Sequence, residues 1–195
     1  MSKKKRYPAR KPRFAGGIRA QATRTSLRPW WARRWLAAIE PLSIAGRFAR
    51  GREYAVSGQV AALETHGRET VARVVGTRSD PYEAQISFRA APPEAAARIV
   101  AALRADPMLA ARLFADDLPV EVEEIFFREG CPLFPSGRLP DGGFDMEFRC
   151  TCPDWAKPCK HAFAALFLLG EEVERRPFAL LEFRGISQEA VCPEP

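Results

Sequence analysis

Four residues that bind metal ions well lie within one short segment near the C-terminus. Cys150, Cys152, Cys159 and His161 follow the pattern Cys-x-Cys-x6-Cys-x-His. Three thiolates and one neutral imidazole make a tetrahedral donor set of the kind that closes a structural zinc site. The sequence therefore predicts one structural Zn²⁺ held by these four side chains.

Disulfide bonds are the alternative for a chain with five cysteines. The odd number of cysteines, the lack of an apolar secretory signal and the two-residue spacing of Cys150 and Cys152 all favour a metal site instead. We expect Cys131 to be a small buried residue, and Cys192 to be a free thiol at a frayed end.

The sequence on either side of the ligands predicts a strand before them and a helix after them. Polarity alternates ahead of Cys150, with Phe144, Met146 and Phe148 on the apolar side and Asp145, Glu147 and Arg149 on the polar side. The apolar run after His161 predicts a helix that ends at Gly170. We expect 131–135 to form a further short strand, kept at a sheet edge by its prolines.

This arrangement resembles the SWIM zinc finger, whose Cys-x-Cys, variable gap and Cys-x-His follow a strand pair and precede a helix. All four family ligands are matched, as Cys150, Cys152, Cys159 and His161. A looser resemblance to bacterial SWIM-containing proteins covers 30–35, 51–54 and 133–135. The resemblance implies binding to DNA or to proteins, and an association with ATP-driven helicase-like translocases.

Upstream of the zinc unit, the chain predicts a body of helices and a small antiparallel sheet. Trp31, Trp35 and Ile39 have helical spacing, which favours packing on the core over base stacking. Residues 53–90 predict three strands, the first from Val56 to Leu63. Residues 92–130 predict three short helices, the second with Asp106 as its N-cap and the third with an acidic face. We therefore expect an α+β fold in four parts: a flexible basic arm (1–25), the body (26–130), the zinc unit (131–185) and a flexible tail (186–195).

Positive charge is concentrated at the N-terminus. Residues 1–39 carry twelve basic side chains and no acidic one, whereas the rest of the chain carries 18 basic and 24 acidic side chains. Such an arm either binds a polyanion or only keeps the chain soluble. The candidate nucleic-acid contacts combine cations of the arm, of the tryptophan helix and of the zinc segment: Lys3, Lys4, Lys5, Arg6, Arg33, Arg34, Arg149, Lys157 and Lys160.

Trp155 lies between the two ligand pairs. Because tryptophan is mostly buried in proteins, we expect it to cover the metal cluster as a lid, with an exposed contact residue as the alternative.

The sequence contains no signature of an enzyme. Four protein ligands leave zinc no open position for water, the deaminase His-x-Glu is missing, and there is no phosphate-binding or dinucleotide-binding glycine motif. We expect a non-catalytic cytoplasmic protein with no membrane span and no small-molecule substrate.

Three hypotheses for the function follow. The first is a nucleic-acid-binding module, with DNA as the favoured ligand. The second is an adaptor that docks on a protein such as a translocase through the acidic helix or the zinc unit, and the third is a redox sensor that releases zinc on thiol oxidation.

Overall fold

The computed structural model describes residues 14, 16–21, 28–139 and 141–192. This part of the chain confirms the predicted α+β class, with helices around a small antiparallel sheet. In chain order the elements are α1 (Trp30–Ile39), α2 (Arg47–Val56), β1 (Val60–His66), β2 (Glu69–Val74), β3 (Tyr82–Phe88), α3 (Pro93–Ala105), α4 (Pro107–Phe114), α5 (Val120–Arg128), β4 (Met146–Cys150), α6 (Lys160–Arg175), α7 (Ala179–Glu182) and α8 (Gln188–Val191).

The sheet is a meander of order β1-β2-β3-β4, and every neighbouring pair is antiparallel. The three strands predicted within 53–90 are confirmed. The predicted start of the first strand at Val56 was wrong, because 47–56 forms helix α2 and β1 begins only at Val60.

Helix α6 is the centre of the core. It is buried on all sides from His161 to Gly170 and contacts α1, α2, α7 and all four strands. Trp35 of α1 is fully buried, and its Nε1 donates a hydrogen bond to the Leu166 carbonyl at 3.0 Å. The predicted core role of Trp35 and Ile39 is therefore confirmed, while Trp31 is half-buried.

The prediction that this helix ends at Gly170 was wrong, because α6 continues to Arg175. Gly170 is needed for space instead: a Cβ there would lie 2.7 Å from Trp35 Cδ1 and 2.8 Å from Nε1.

We expect Gly170→Ala to destabilise the protein by about 1–3 kcal/mol, because overpacking a close helix contact costs that much. Helix propensity alone predicts the opposite, a gain of about 1 kcal/mol. Urea denaturation measures the sign directly. A variant more stable than the wild type would show that Trp35 does not pack tightly against α6.

The three predicted short helices of 92–130 are confirmed as α3, α4 and α5. The Asp106 side chain accepts a hydrogen bond from the Leu109 amide at 3.0 Å, as its predicted role as N-cap of α4 requires.

The predicted strand at 131–135 was wrong, since no strand forms there and β4 pairs with β3 instead. The predicted alternation before Cys150 also failed at its start. Phe144 is 62% exposed, whereas Asp145 is buried in an ion pair with Arg184. Only from Met146 onward do the side chains alternate as expected.

The described stretch 16–21 lies against the body. The Ile18 amide donates to the Val60 carbonyl at 2.8 Å, and the Ala20 amide donates to the Ala55 carbonyl at 3.0 Å. Most of the predicted arm 1–25 lies outside the described residues, and the predicted tail 186–195 contains the short helix α8. None of the described helices is both long and apolar enough to cross a lipid bilayer.

Candidate metal centre

The four predicted ligands come together where β4 ends and α6 begins. Cys150 is the last residue of β4, Cys152 follows in the loop, Cys159 immediately precedes α6, and His161 lies in its first turn. Their ligand atoms all lie within 4.8 Å of one another. Three sulfurs and one nitrogen at these distances can hold a metal ion.

His161 presents its Nδ1 to the cysteines, at 3.8 Å from Cys150 Sγ and 3.9 Å from Cys159 Sγ. Its Nε2 is buried without a hydrogen-bond partner among the described residues. Metal-binding histidines usually donate this second nitrogen to an oxygen, which fixes the ring. Here aromatic packing orients the ring instead: Tyr82 stacks on it with centroids 4.5 Å apart, and Tyr54 meets it edge-on at 5.5 Å.

Hydrogen bonds and burial within the cluster shift the pKa values of the three cysteines in different directions. The hydrogen bond from Cys150 lowers the pKa of Cys159 to about 4, and His161 adds to the effect. The same hydrogen bond, together with burial, raises the pKa of Cys150. Burial also raises the pKa of Cys152. One thiolate is thus favoured in the folded protein, and a bound cation would favour all three.

An ion pair ties the loop between the ligand pairs to helix α2. Asp154 accepts two hydrogen bonds from Arg47, at 2.6 Å from Nη2 and 3.0 Å from Nε, and it also accepts one from the Ala156 amide. The Arg47 hydrogen bonds lower the pKa of Asp154. The Cys159 and Cys152 thiolates contribute, after Asp154, to the raised pKa of Arg47. Arg47 therefore both positions the loop and offsets thiolate charge.

We expect Asp154→Asn to lower the affinity for zinc by about tenfold, because it weakens the ion pair with Arg47 that holds the loop between the ligand pairs. Interactions that orient metal ligands typically contribute about 10–100-fold in affinity. Competition with a chromophoric chelator measures the affinity. Asp117→Asn is the matched control, because Asp117 also pairs with an arginine, Arg112, but on the exposed surface between α4 and α5. Equal affinity in the two variants would show that the ion pair does not support the site.

The predicted lid over the cluster was wrong, because Trp155 is 76% exposed. The Arg47 guanidinium lies 5.2 Å from its ring centroid. Trp155 is therefore an exposed aromatic side chain at the tip of the loop, as in the alternative interpretation.

Two of the predicted nucleic-acid contacts, Arg149 and Lys157, line one groove of about 550 Å³ beside the metal centre. Arg138 joins them there, and Glu147 is the single acidic side chain of the lining. The groove walls come from the loop 136–138, from β4 and from the metal-binding loop, and they include Phe144 and Phe148.

The remaining predicted contacts lie elsewhere. Lys160 is half-buried, with its Nζ 5.0 Å from the Tyr54 ring centroid. Arg33 donates to the Arg28 carbonyl at 3.0 Å, and Arg34 forms a 3.0 Å ion pair with Glu123. Lys3, Lys4, Lys5 and Arg6 lie outside the described residues.

Three side chains of this region were not anticipated: Arg47, Arg138 and Phe144. Arg47 and Arg138 are distant in sequence from the ligands, and only the tertiary fold brings them near. For Phe144 a signal existed, since the Asp141-Gly-Gly143 turn before it suggests that the strand begins later than the alternation implies.

Fold and site together define an α+β protein in which four side chains, from three cysteines and one histidine, can hold a metal ion. The chain is 34% identical over 183 residues to a protein of Mycobacterium tuberculosis (strain H37Rv) described as "Uncharacterized protein Rv2102". The match covers 93% of this chain and 64% of that relative, so the chain spans less than two thirds of the relative's length. No protein-family model matches the chain, and no solved structure matches it significantly.

Proposed function

We propose that this protein is a zinc-stabilised, non-catalytic nucleic-acid-binding module, with DNA as the favoured ligand. The supporting observation is the groove beside the candidate metal site, whose lining carries three cations, Arg138, Arg149 and Lys157, and one carboxylate, Glu147. A groove with this excess of positive charge attracts a polyanion such as DNA. Each phosphate that a cation neutralises releases bound counterions, and this release favours binding.

Zinc is the proposed metal. Bonds of about 2.3 Å to sulfur and about 2.0–2.1 Å to nitrogen at tetrahedral angles place the two atoms roughly 3.6 Å apart. The observed separations of 3.8 Å and 3.9 Å differ from this by only a few tenths of an ångström. Three thiolates and one imidazole are also the donors that zinc prefers over magnesium or calcium.

The proposed role of the zinc is structural. Four protein ligands complete a tetrahedral shell, whereas a catalytic zinc keeps one position for water or substrate. With three thiolates the site carries a net charge of −1, which Arg47 partly offsets at short range.

The ligand order and the strand, loop and helix around it support assignment to the SWIM type. The helix after the ligands is α6, and the strand before them is β4. The family's strand pair then corresponds to β3 and β4, not to 131–135. On this assignment the protein acts together with a helicase-like ATPase.

Fluorescence anisotropy of labelled DNA at several salt concentrations tests the proposal. We expect Arg149→Glu and Lys157→Glu each to weaken binding and to reduce the slope of log K against log salt by about 0.7–0.9, the contribution of one phosphate contact. Arg73→Glu is the matched control, because Arg73 is an exposed arginine on β2, outside the groove. A chain starting at Leu27 isolates the contribution of the basic arm. Equal losses of DNA affinity in all three charge-reversal variants would indicate that binding depends on the overall charge of the protein and not on the groove. No binding of DNA at physiological salt would refute the proposal.

An adaptor function is the second candidate, and the exposure of Trp155 favours it. Exposed tryptophans are frequent anchors of protein interfaces. Docking through the zinc unit would use this loop, because α6 itself is buried from His161 to Gly170. Trp155→Ala should then abolish partner binding, while the chain starting at Leu27 should keep it.

A further inference from the structure

The groove beside the metal centre runs along the free edge of the sheet. Four consecutive residues of β4, from Met146 to Arg149, contribute to its lining. β4 is the last strand of the meander, and within the described part of the chain it pairs only with β3. The groove therefore follows an extended strand and suits an extended occupant.

The antiparallel register shows which backbone groups face this groove. The Arg89 amide donates to the Asp145 carbonyl at 2.9 Å, and the Thr151 amide donates to the Glu83 carbonyl at 3.0 Å. Backbone groups alternate in direction along a strand, so those of Met146 and Phe148 point away from β3, toward the groove. They have no backbone partner in the described part of the chain.

An exposed ring with a cation above it lies in the same groove. Phe144 is 62% exposed, and the Arg138 guanidinium lies 5.1 Å from its ring centroid. Arg149 and Lys157 supply further positive charge along the lining. Single-stranded nucleic acids bind in grooves that combine aromatic rings with cations. The bases stack on the rings, and the phosphates contact the cations.

We infer that the groove binds a single-stranded nucleic acid, with a base stacked on Phe144 and phosphates on Arg138, Arg149 and Lys157. This inference rests on the proposed function and adds the strand form of the ligand. A duplex hides its base faces in the stack, so it cannot use Phe144 without melting. DNA and RNA single strands share the chemistry that the groove recognises.

The test compares labelled oligothymidine, oligouridine and a duplex of the same length, about 12 nucleotides, which lies within typical single-strand site sizes. The full zinc-loaded chain is measured beside Phe144→Leu, Phe144→Tyr and Phe127→Leu. Phe127 is the matched control, because it is 82% exposed on α5 and does not line the groove. Near-ultraviolet circular dichroism verifies the fold of each variant.

We expect Phe144→Leu to weaken single-strand binding by about tenfold, the contribution of one stacked base. Phe144→Tyr and Phe127→Leu should bind as the wild type does, and duplex affinity should be the same in all variants. Two results would overturn the inference but leave the proposed function standing. One is a single strand that binds Phe144→Leu as tightly as it binds the wild type, and the other is a duplex that binds as tightly as the single strand.

If none of the oligonucleotides binds, both the inference and the proposed function are overturned. A polyglutamate peptide that binds instead, and is weakened by Arg149→Glu, would identify the strand edge as a peptide site.

Discussion

Cys159→Ser is expected to release the metal and to unfold the region around α6. Cys159 is buried, offers one of the four ligand atoms and is the N-cap residue of α6. Metal binding contributes about 10–16 kcal/mol in small structural zinc sites, which is comparable with the whole stability of a typical domain. Zinc content by mass spectrometry should fall from one per chain to none.

Hydrogen exchange should show the structural effect of this change. Because α6 contacts every strand of the sheet, we expect amide protection to be lost throughout 144–169 and to weaken in β3 and α2. Cys192→Ser is the control, since Cys192 is an exposed cysteine outside the cluster. A Cys159→Ser protein that keeps full protection near residues 144–169 would contradict a structural role for the site.

Arg184→Met is expected to destabilise the protein by about 3–5 kcal/mol, because it leaves a buried carboxylate without its partner. Arg184 and Asp145 form a two-point ion pair, at 2.5 Å and 2.9 Å, and both side chains are 1% exposed. The guanidinium also donates to the carbonyls of Phe134 and Arg89, at 3.0 Å and 3.2 Å. Urea denaturation of the zinc-loaded protein measures the loss.

The exposed pair of Arg112 and Asp117 provides the comparison. Arg112→Met removes the same kind of ion pair at the surface, where its contribution is about 0–1 kcal/mol. A loss of similar size in both variants would mean that the Arg184 pair does not stabilise the core.

Asp145 also accepts a hydrogen bond from the Ser136 amide at 2.8 Å, so the pair fixes one wall of the groove. Arg184→Met should therefore weaken oligonucleotide binding as well.

The metal ligands could be found from sequence because their signal is local. Residues two apart in extended chain, and a Cys-x-His at the start of a helix, place ligands without help from the rest of the fold. The strand β3 and the N-cap Asp106 were found for the same reason: alternation and capping depend on neighbours in the chain.

Elements that depend on distant partners were predicted poorly. Helix α2 contains Gly51, which weakens a helix in isolation, but here it allows close contact with α6: a Cβ would lie 2.2 Å from Phe163 Cβ. The segment 131–135 resembles a strand, yet its Leu133 and Phe134 carbonyls bind the Arg184 guanidinium instead of a neighbouring strand. The residues next to these positions in sequence indicate neither interaction.

The groove was also not predictable from the sequence, because its lining depends on the tertiary fold. Arg149 and Lys157 were singled out because they flank the ligands, but their grouping with Arg138 and Phe144 depends on how the loop before β4 folds. A short antiparallel bridge joins Arg138 to Phe144 and places the guanidinium over the ring. A charge count cannot reveal such a pairing.

X-ray absorption spectroscopy at the zinc edge of the purified protein is the most direct test of a closed structural zinc site. We predict one zinc per chain, with three sulfur neighbours at about 2.3 Å and one nitrogen at about 2.0–2.1 Å. The nitrogen should disappear from the shell in any His161→Cys protein that still binds zinc. A shell with an oxygen from water in place of a sulfur or the nitrogen, or a purified protein without zinc, would contradict a closed structural zinc site.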